Sequence, residues 1–221
     1  MKPEPARIAV LLSGGGSTMV NLHEHIERGA VPGEIAVVVS SRAKALGVER
    51  ARARGLETRV LSRRGFWRSG AFDEVAYSRA LAELLAPYEP ALVVLAGFMT
   101  RLAAPVLDRW RVVNVHPALL PAFGGEGCYG HRVHQAVLDA GVKVTGATVH
   151  FANAEYDRGP IIAQEPVEVA EDDTADTLAA RVQEAERRLY PRAIAYVLEG
   201  RVRVEGRRAR VLEGRGGGAP K

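Results

Sequence analysis

Short apolar runs alternate with longer amphipathic stretches along the first half of the chain. "RIAVLL" (7–12), "EIAVVVS" (34–40), "TRVL" (58–61), "ALVVLA" (91–96) and "VVNV" (112–115) carry few polar positions. A strand that is apolar on both faces fits a parallel sheet covered on both sides. Helices are predicted between them, over 18–28, 44–54, 72–86 and 104–109. This alternation predicts an α/β fold, a doubly wound and mostly parallel Rossmann-like sheet. After residue 130 the pattern changes. A helix over 131–140 precedes "KVTGATVHF" (143–151) and "PIIAQEPVEV" (160–169), with no helix-length segment between the two. These strands are expected to form an antiparallel addition in the C-terminal half. The last helix, 174–198, starts at Thr174 as N-cap and buries a stripe of Leu178, Val182, Ala185 and Leu189. There is no internal repeat or interdomain linker, and the one loop rich enough in glycine to be mobile is "AFGGEGCYG" (122–130).

The 221 residues, 47% of them hydrophobic, suffice for one sizeable core. A single domain over 1–205 is expected, followed by a basic, poorly ordered tail over 206–221. No apolar run approaches the roughly 20 residues of a membrane span. The N-terminus lacks the shape of a signal peptide. Cys128 is the only cysteine, which excludes an internal disulfide and suits a reducing cytoplasm. The formal charge of +4 narrows the picture further. Residues 200–221 hold six Arg and one Lys against Glu205 and Glu213, a net of +5, so the remainder is about neutral. With 6% aromatics and no interleaved basic–aromatic groove, nucleic-acid binding is not expected.

Candidate chemistry begins at "SGGGSTM" (13–19), between the first strand and first helix. Backbone amides there can hold a phosphate. A dinucleotide loop would want glycine where Met19 stands, the second strand ends "SSR" without an acid for a ribose, and no Gly-Lys-Ser/Thr is present. Two readings remain: a tight turn without a ligand, or one phosphate monoester held by amides of Gly15 to Thr18 and the Ser17 and Thr18 hydroxyls. The second fits better. In "NVHPALLP" (114–121), Asn114 and His116 leave the sheet's carboxyl edge on one face, and Pro117 keeps His116 extended. The pair can polarise a carbonyl, or can be merely structural. Asp157, in the turn of "ANAEYDRGP", can fold back to orient His116, or can satisfy only its own turn. His150 is a supporting group. His131 and His134, three apart on a helix without a third ligand, are expected to be surface residues and not a metal pair.

"VLLSGGGST", "LAGFM" followed by "NVHPALLPAF", and "GATVHFANAEYDRGPIIAQ" with "RVQEAERRLYP" resemble the phosphoribosylglycinamide formyltransferases, folate-dependent enzymes of purine synthesis. The resemblance runs in order from residue 7 to about 205. Its Asn-x-His…Asp constellation is shared with methionyl-tRNA formyltransferase and formyltetrahydrofolate deformylase. The first carries an extra C-terminal domain and the second an N-terminal one, for which this chain is expected to lack room, and "RVQEAERRLYP" is the transformylase form. The resemblance implies 10-formyltetrahydrofolate as co-substrate, glycinamide ribonucleotide as acceptor, and no metal, nucleic acid or membrane. It also implies a cytoplasmic monomer or homodimer, with a phosphate-binding N-terminal half and a folate-binding, catalytic C-terminal half. By resemblance, Asn114, His116 and Asp157 are catalytic, and Gly15, Gly16, Ser17, Thr18, Met99, Pro117, Gln183 and Glu186 meet the ribonucleotide. Leu95, Met99, Thr100, Arg101 and Leu102, with Asn153, Ala154, Glu155, Tyr156 and Asp157, meet the folate. The chain departs from the pattern at Thr18, where Asn is more usual, and at Thr100, where Arg or Lys often stands. It departs again near Glu74, where an Arg often lies close to the folate's acidic tail; Arg63, Arg64 and Arg68 could supply that charge. The rival from another class is a nucleotide-binding module without chemistry.

Overall fold

The first apolar run becomes strand β1 (Arg7–Leu12), in which Ile8, Val10 and Leu12 enter one core while Ala9 and Leu11 enter another. That two-sided burial is why the run has no polar position after Arg7. The computed structural model describes residues 4–213. After β1 come α1 (Ser17–Glu27), β2 (Glu34–Ser40), α2 (Leu46–Arg52) and β3 (Thr58–Val60). A small ribbon follows, β4 (Trp67–Arg68) against β5 (Ala71–Phe72), and then α3 (Glu74–Leu85), β6 (Leu92–Leu95), α4 (Ala104–Leu107) and β7 (Val112–His116). The second half comprises α5 (His131–Asp139), β8 (Val144–Phe151), β9 (Ile161–Glu168), α6 (Ala175–Leu198), β10 (Val202–Glu205) and β11 (Arg208–Val211).

Nine strands form one sheet in the order β10-β11-β9-β8-β7-β6-β1-β2-β3. The pairs joining β3, β2, β1, β6 and β7 are parallel, whereas β8 runs antiparallel to β7 and to β9, as the sequence predicted. One core joins α1, α2 and α6 to the sheet, and the other joins α3 and α4 to it. Strand order reverses between β1 and β6. The loops leaving their carboxyl ends therefore diverge and open a crevice.

Helix α6 carries the sequence's clearest start signal. Thr174 accepts from the Thr177 amide and the Thr177 hydroxyl accepts from the Thr174 amide, a reciprocal cap. Along its buried stripe, Tyr190 extends under the crevice and its hydroxyl meets the carbonyl oxygens of Leu95 and Val113, each at 2.9 Å. This fastens α6 to the ends of β6 and β7. In Tyr190→Phe the ring stays while that bond is lost, so a loss of about 1–3 kcal/mol is expected in equilibrium denaturant unfolding.

The sequence placed the end of order at residue 205. Residues 208–211 instead form β11, which pairs antiparallel with β10 around Gly206 (φ 60°) and meets β9 at Arg208–Ile161. In "VRVEGRRARV", buried Val202 and partly buried Ala209 give the ribbon an apolar side, and the arginine side chains are exposed. The rest of the expected tail, 214–221, lies outside the described residues. Among the described residues, no helix is long and apolar enough to cross a membrane.

Candidate active site

Asn114 and His116 close β7 and pair in register with His150 and Thr148 of β8. A register shift between Val149 and His150 falls beside them, the kind of local irregularity that re-aims side chains. The Asn114 amide donates to His150 Nε2 at 3.2 Å. His150 Nδ1 lies 2.9 Å from the Phe151 carbonyl oxygen, so a proton held there leaves Nε2 free to accept. His116 is buried; its Nε2 donates to the Phe123 carbonyl at 2.9 Å, and its Nδ1 lies 3.5 Å from Asp157 Oδ2. The other Asp157 oxygen lies 3.5 Å from His150 Nε2, and the Gly125 amide donates to Oδ2 at 3.0 Å. One carboxylate thus faces two imidazoles and pins the glycine loop.

Local backbone explains how Asp157 gets there. It sits at φ 55°, in a turn that ends at Gly159, where a Cβ would overlap the Phe151 carbonyl oxygen. A Cβ at Gly124 would press on the end of the Leu120 side chain and come within 3.2 Å of the Asp157 Cβ. Burial lifts the Asp157 carboxyl, but the His150 contact, the Gly125 amide and the charge of both imidazoles outweigh it and hold it below the usual range. Burial pushes the His116 imidazole below its ordinary value, against the opposing pull of Asp157 and the Phe123 carbonyl. Near neutral pH the pair therefore combines an ionised carboxylate with a neutral ring that can accept a proton.

These groups line a cleft of about 670 Å³. Thr18, Gln183 and Glu186 line it too, and also line an adjoining hollow of about 150 Å³ with Ser17, Asn21 and Arg187. Gly16 precedes α1 at φ 75° and supplies no capping side chain, which leaves the first amides of the helix open to an anion. A Cβ at Gly16 would stand 2.7 Å from the Gly47 Cα, so the loop lies tight on α2. The Gly15 carbonyl accepts from Arg50 at 3.0 Å. Ser13, which the sequence reading passed over, ties this loop to the next one. Its hydroxyl accepts the Met99 amide at 2.8 Å and meets the Ser41 hydroxyl at 2.7 Å. Serines closing two adjacent buried strands, "LLS" and "VVSS", were its signal.

Glu186 keeps partial exposure through the cleft, yet the packing around its carboxyl pushes the pKa up to about 7. No hydrogen bond or ion pair from its side chain reaches another described residue. A raised carboxyl favours the protonated form in the folded state. Its stabilising contribution is complete below the ordinary value of 4.5 and is lost as pH rises through about 7. Between about pH 5 and about pH 8, Glu186→Gln is expected to remove a pH-dependent fall in unfolding free energy of at most about 3 kcal/mol. Denaturant midpoints of both proteins across that range test this.

On the opposite wall, Arg101 is the organiser. It donates to the Ala154 carbonyl at 2.7 Å, stacks over Tyr156 with its guanidinium 5.2 Å from the ring centroid, and lies 3.6 Å from the Glu74 carboxylate. Two departures noted in the sequence, basic Arg101 beside Thr100 and acidic Glu74, are therefore one interaction. Thr100 lines the cleft, but it is buried and its hydroxyl has no hydrogen-bond partner among the described residues. Of Arg63, Arg64 and Arg68, only Arg63 lines the cleft; it is held over the Phe72 ring at 4.6 Å, while Arg68 lies 3.7 Å from Asp73.

Leu95, Met99, Leu102, Pro117, Asn153, Glu155 and Tyr156 also line the cleft. Gly15, Gly16 and Ala154 do not form its wall; the two glycines act through backbone, and Ala154 anchors Arg101. His134 corrects the sequence reading. It is buried, lines the cleft, and has an Nδ1 without a hydrogen-bond partner among the described residues, whereas His131 is exposed and pairs with Asp176 at 2.7 Å. Val133 and Val137, both fully buried, show that the buried face of α5 passes under His134. Among the described residues, no three His, Cys, Asp or Glu side chains cluster as metal ligands would.

The formyl transferase family model matches residues 6–194. Over 200 residues the chain is 36% identical to the phosphoribosylglycinamide formyltransferase of Escherichia coli, covering 89% of each. Over 206 residues it is 39% identical to the trifunctional purine biosynthetic protein adenosine-3 of Bos taurus, where it accounts for 92% of this chain but only 19% of that longer protein. Among solved structures, glycinamide ribonucleotide transformylase 1 from Symbiobacterium toebii superposes with a TM-score of 0.88 at 41% identity, over 96% of both chains.

Proposed function

This chain belongs to the formyl transferase family, and on that premise we propose that it transfers the formyl group of 10-formyltetrahydrofolate to the amine of glycinamide ribonucleotide. The products are formylglycinamide ribonucleotide and tetrahydrofolate, a step of purine biosynthesis. One observation carries the reading. Asn114, His116 and Asp157 line a cleft that shares Thr18, Gln183 and Glu186 with the hollow at the phosphate loop. A two-substrate transfer needs two joined compartments with the reacting groups at their junction, and a nucleotide-binding module needs only one.

In this reading the amides of the loop and the Ser17 and Thr18 hydroxyls hold the substrate phosphate, and Gln183 and Glu186, three apart on α6, meet the ribose and glycinamide. The folate lies along Leu95 and residues 99–102 and under the 153–157 turn, with Arg63 the basic side chain on that wall. Holding both substrates in line removes much of the entropic barrier, about 7–11 kcal/mol in well-oriented cases. The amine nitrogen bonds to the formyl carbon, the carbonyl becomes an oxyanion, and Asn114 and His116 donate to it. The carbon–N10 bond then breaks as a proton passes from the amine to N10, with Asp157, 3.5 Å from His116 Nδ1, stabilising and orienting the ring when that nitrogen is protonated. The Nε2 proton now donated to Phe123 becomes available as that carbonyl turns away, a movement that Gly124, Gly125 and Gly127 on the same loop permit.

All these side chains come from one chain, so a monomer is competent, and a cytoplasmic setting keeps Cys128 reduced. The test is to incubate the protein with 10-formyltetrahydrofolate, with and without glycinamide ribonucleotide, and to follow loss of the donor. Consumption that requires the acceptor supports the transfer. Formate released without it would make the protein a deformylase, and no consumption would leave a binding module.

A further inference from the structure

We propose that the chain carries a second anion site, separate from the phosphate loop, on the outer side of the Asp157 turn, and that it takes a diphosphate-class anion. A cavity of about 350 Å³ opens there between the start of β9 and the β10–β11 hairpin, and Arg158, Arg207 and Arg208 line it together with Asp157. Its volume is some ten times the roughly 30 Å³ of a liquid water molecule, room for two linked phosphates.

Charge pairing picks out the site. Of the arginines around the hairpin, Arg201 is 3.0 Å from Glu199, and Arg203 and Arg210 lie 3.2 and 3.4 Å from Glu205. Arg207 and Arg208, the two without a carboxylate partner among the described residues, are those that face the cavity. Arg158, likewise without one, joins them from the other wall. Three guanidiniums brought to one concave surface against the single carboxylate of Asp157 leave a local excess of positive charge. A multiply charged anion relieves their mutual repulsion and can accept several N–H bonds in the fork geometry that guanidinium supplies. The cavity shares no lining residue with the hollow at the phosphate loop. It does share Asp157 with the catalytic cleft, and Arg158 follows Asp157 directly, so an occupant would brace the catalytic turn from behind.

The probe is inorganic pyrophosphate, titrated calorimetrically into the full chain. Because pyrophosphate can also enter the phosphate loop, three variants are compared: Ser17→Ala/Thr18→Ala, Arg207→Ala/Arg208→Ala and Arg207→Lys/Arg208→Lys. The side chains of Arg207 and Arg208 are exposed and β11 pairs through backbone, so the folds are retained, as circular dichroism will verify. Saturable binding that survives in the loop variant, weakens about tenfold or more in the double alanine variant and largely returns in the double lysine variant supports the site. Absence of saturable binding in the millimolar range, or binding indifferent to Arg207 and Arg208, overturns it. A parallel titration with ADP assigns the occupant: tighter binding than pyrophosphate indicates a nucleoside diphosphate, and weaker or equal binding a free anion.

Discussion

Asn114→Ala is expected to lower kcat by about two to three orders of magnitude with little change in stability, because removing one donor to a developing oxyanion costs about 2.7–4 kcal/mol of transition-state stabilisation. The donor matters only when charge appears on the formyl oxygen, so KM for both substrates should move far less than kcat. His116→Ala and Asp157→Ala are expected to lose most turnover as well. The Asp157 variant differs in kind, since it leaves two imidazoles 3.5 Å from a missing carboxylate and frees the Gly125 amide. Steady-state kinetics of the three proteins, each shown by circular dichroism to be folded, decide the matter. Full activity in all three would remove the site from these residues.

Gly159→Ala is expected to have the largest structural effect of any single methyl group added near the cleft. The new Cβ would occupy the position of the Phe151 carbonyl oxygen, a backbone atom that cannot swing aside. Relief requires breaking the Phe151–Pro160 backbone bond (3.0 Å) or moving the Asp157 turn. Overpacking of this kind costs about 1–3 kcal/mol or more. The variant should unfold at distinctly lower denaturant concentration and lose transfer activity even where it remains folded. Wild-type stability would mean that the turn has slack that its geometry hides.

The sequence made the parallel sheet legible because burial on both faces leaves a mark at every position: Ile8 to Leu12 cannot be mistaken for a one-sided strand. The Asn114 and His116 pair was readable for a related reason, since two-residue spacing at a strand end fixes a common face. The β10–β11 hairpin was missed because "VRVEGRRARV" alternates arginine with small apolar residues. The charge drew attention away from the period of two. His134 was missed because a histidine on an amphipathic helix reads as polar, and only the tertiary position of α5 shows that its face borders the cleft. The Arg101–Glu74 contact could not be seen at all. The two residues are far apart along the chain, each looks like an ordinary surface charge, and their meaning depends on the turn at Ala154 and Tyr156 that they jointly secure.

That contact has a consequence for how the wall of the cleft can vary. Arg101 is satisfied on three sides, by a carbonyl, a ring and the Glu74 carboxylate. A guanidinium at position 74 would set like charges against each other and set the turn adrift, whereas exchanging both partners together could preserve it. Positions 74 and 101 are thus physically coupled, and a charge reversal at one is expected to need the opposite reversal at the other.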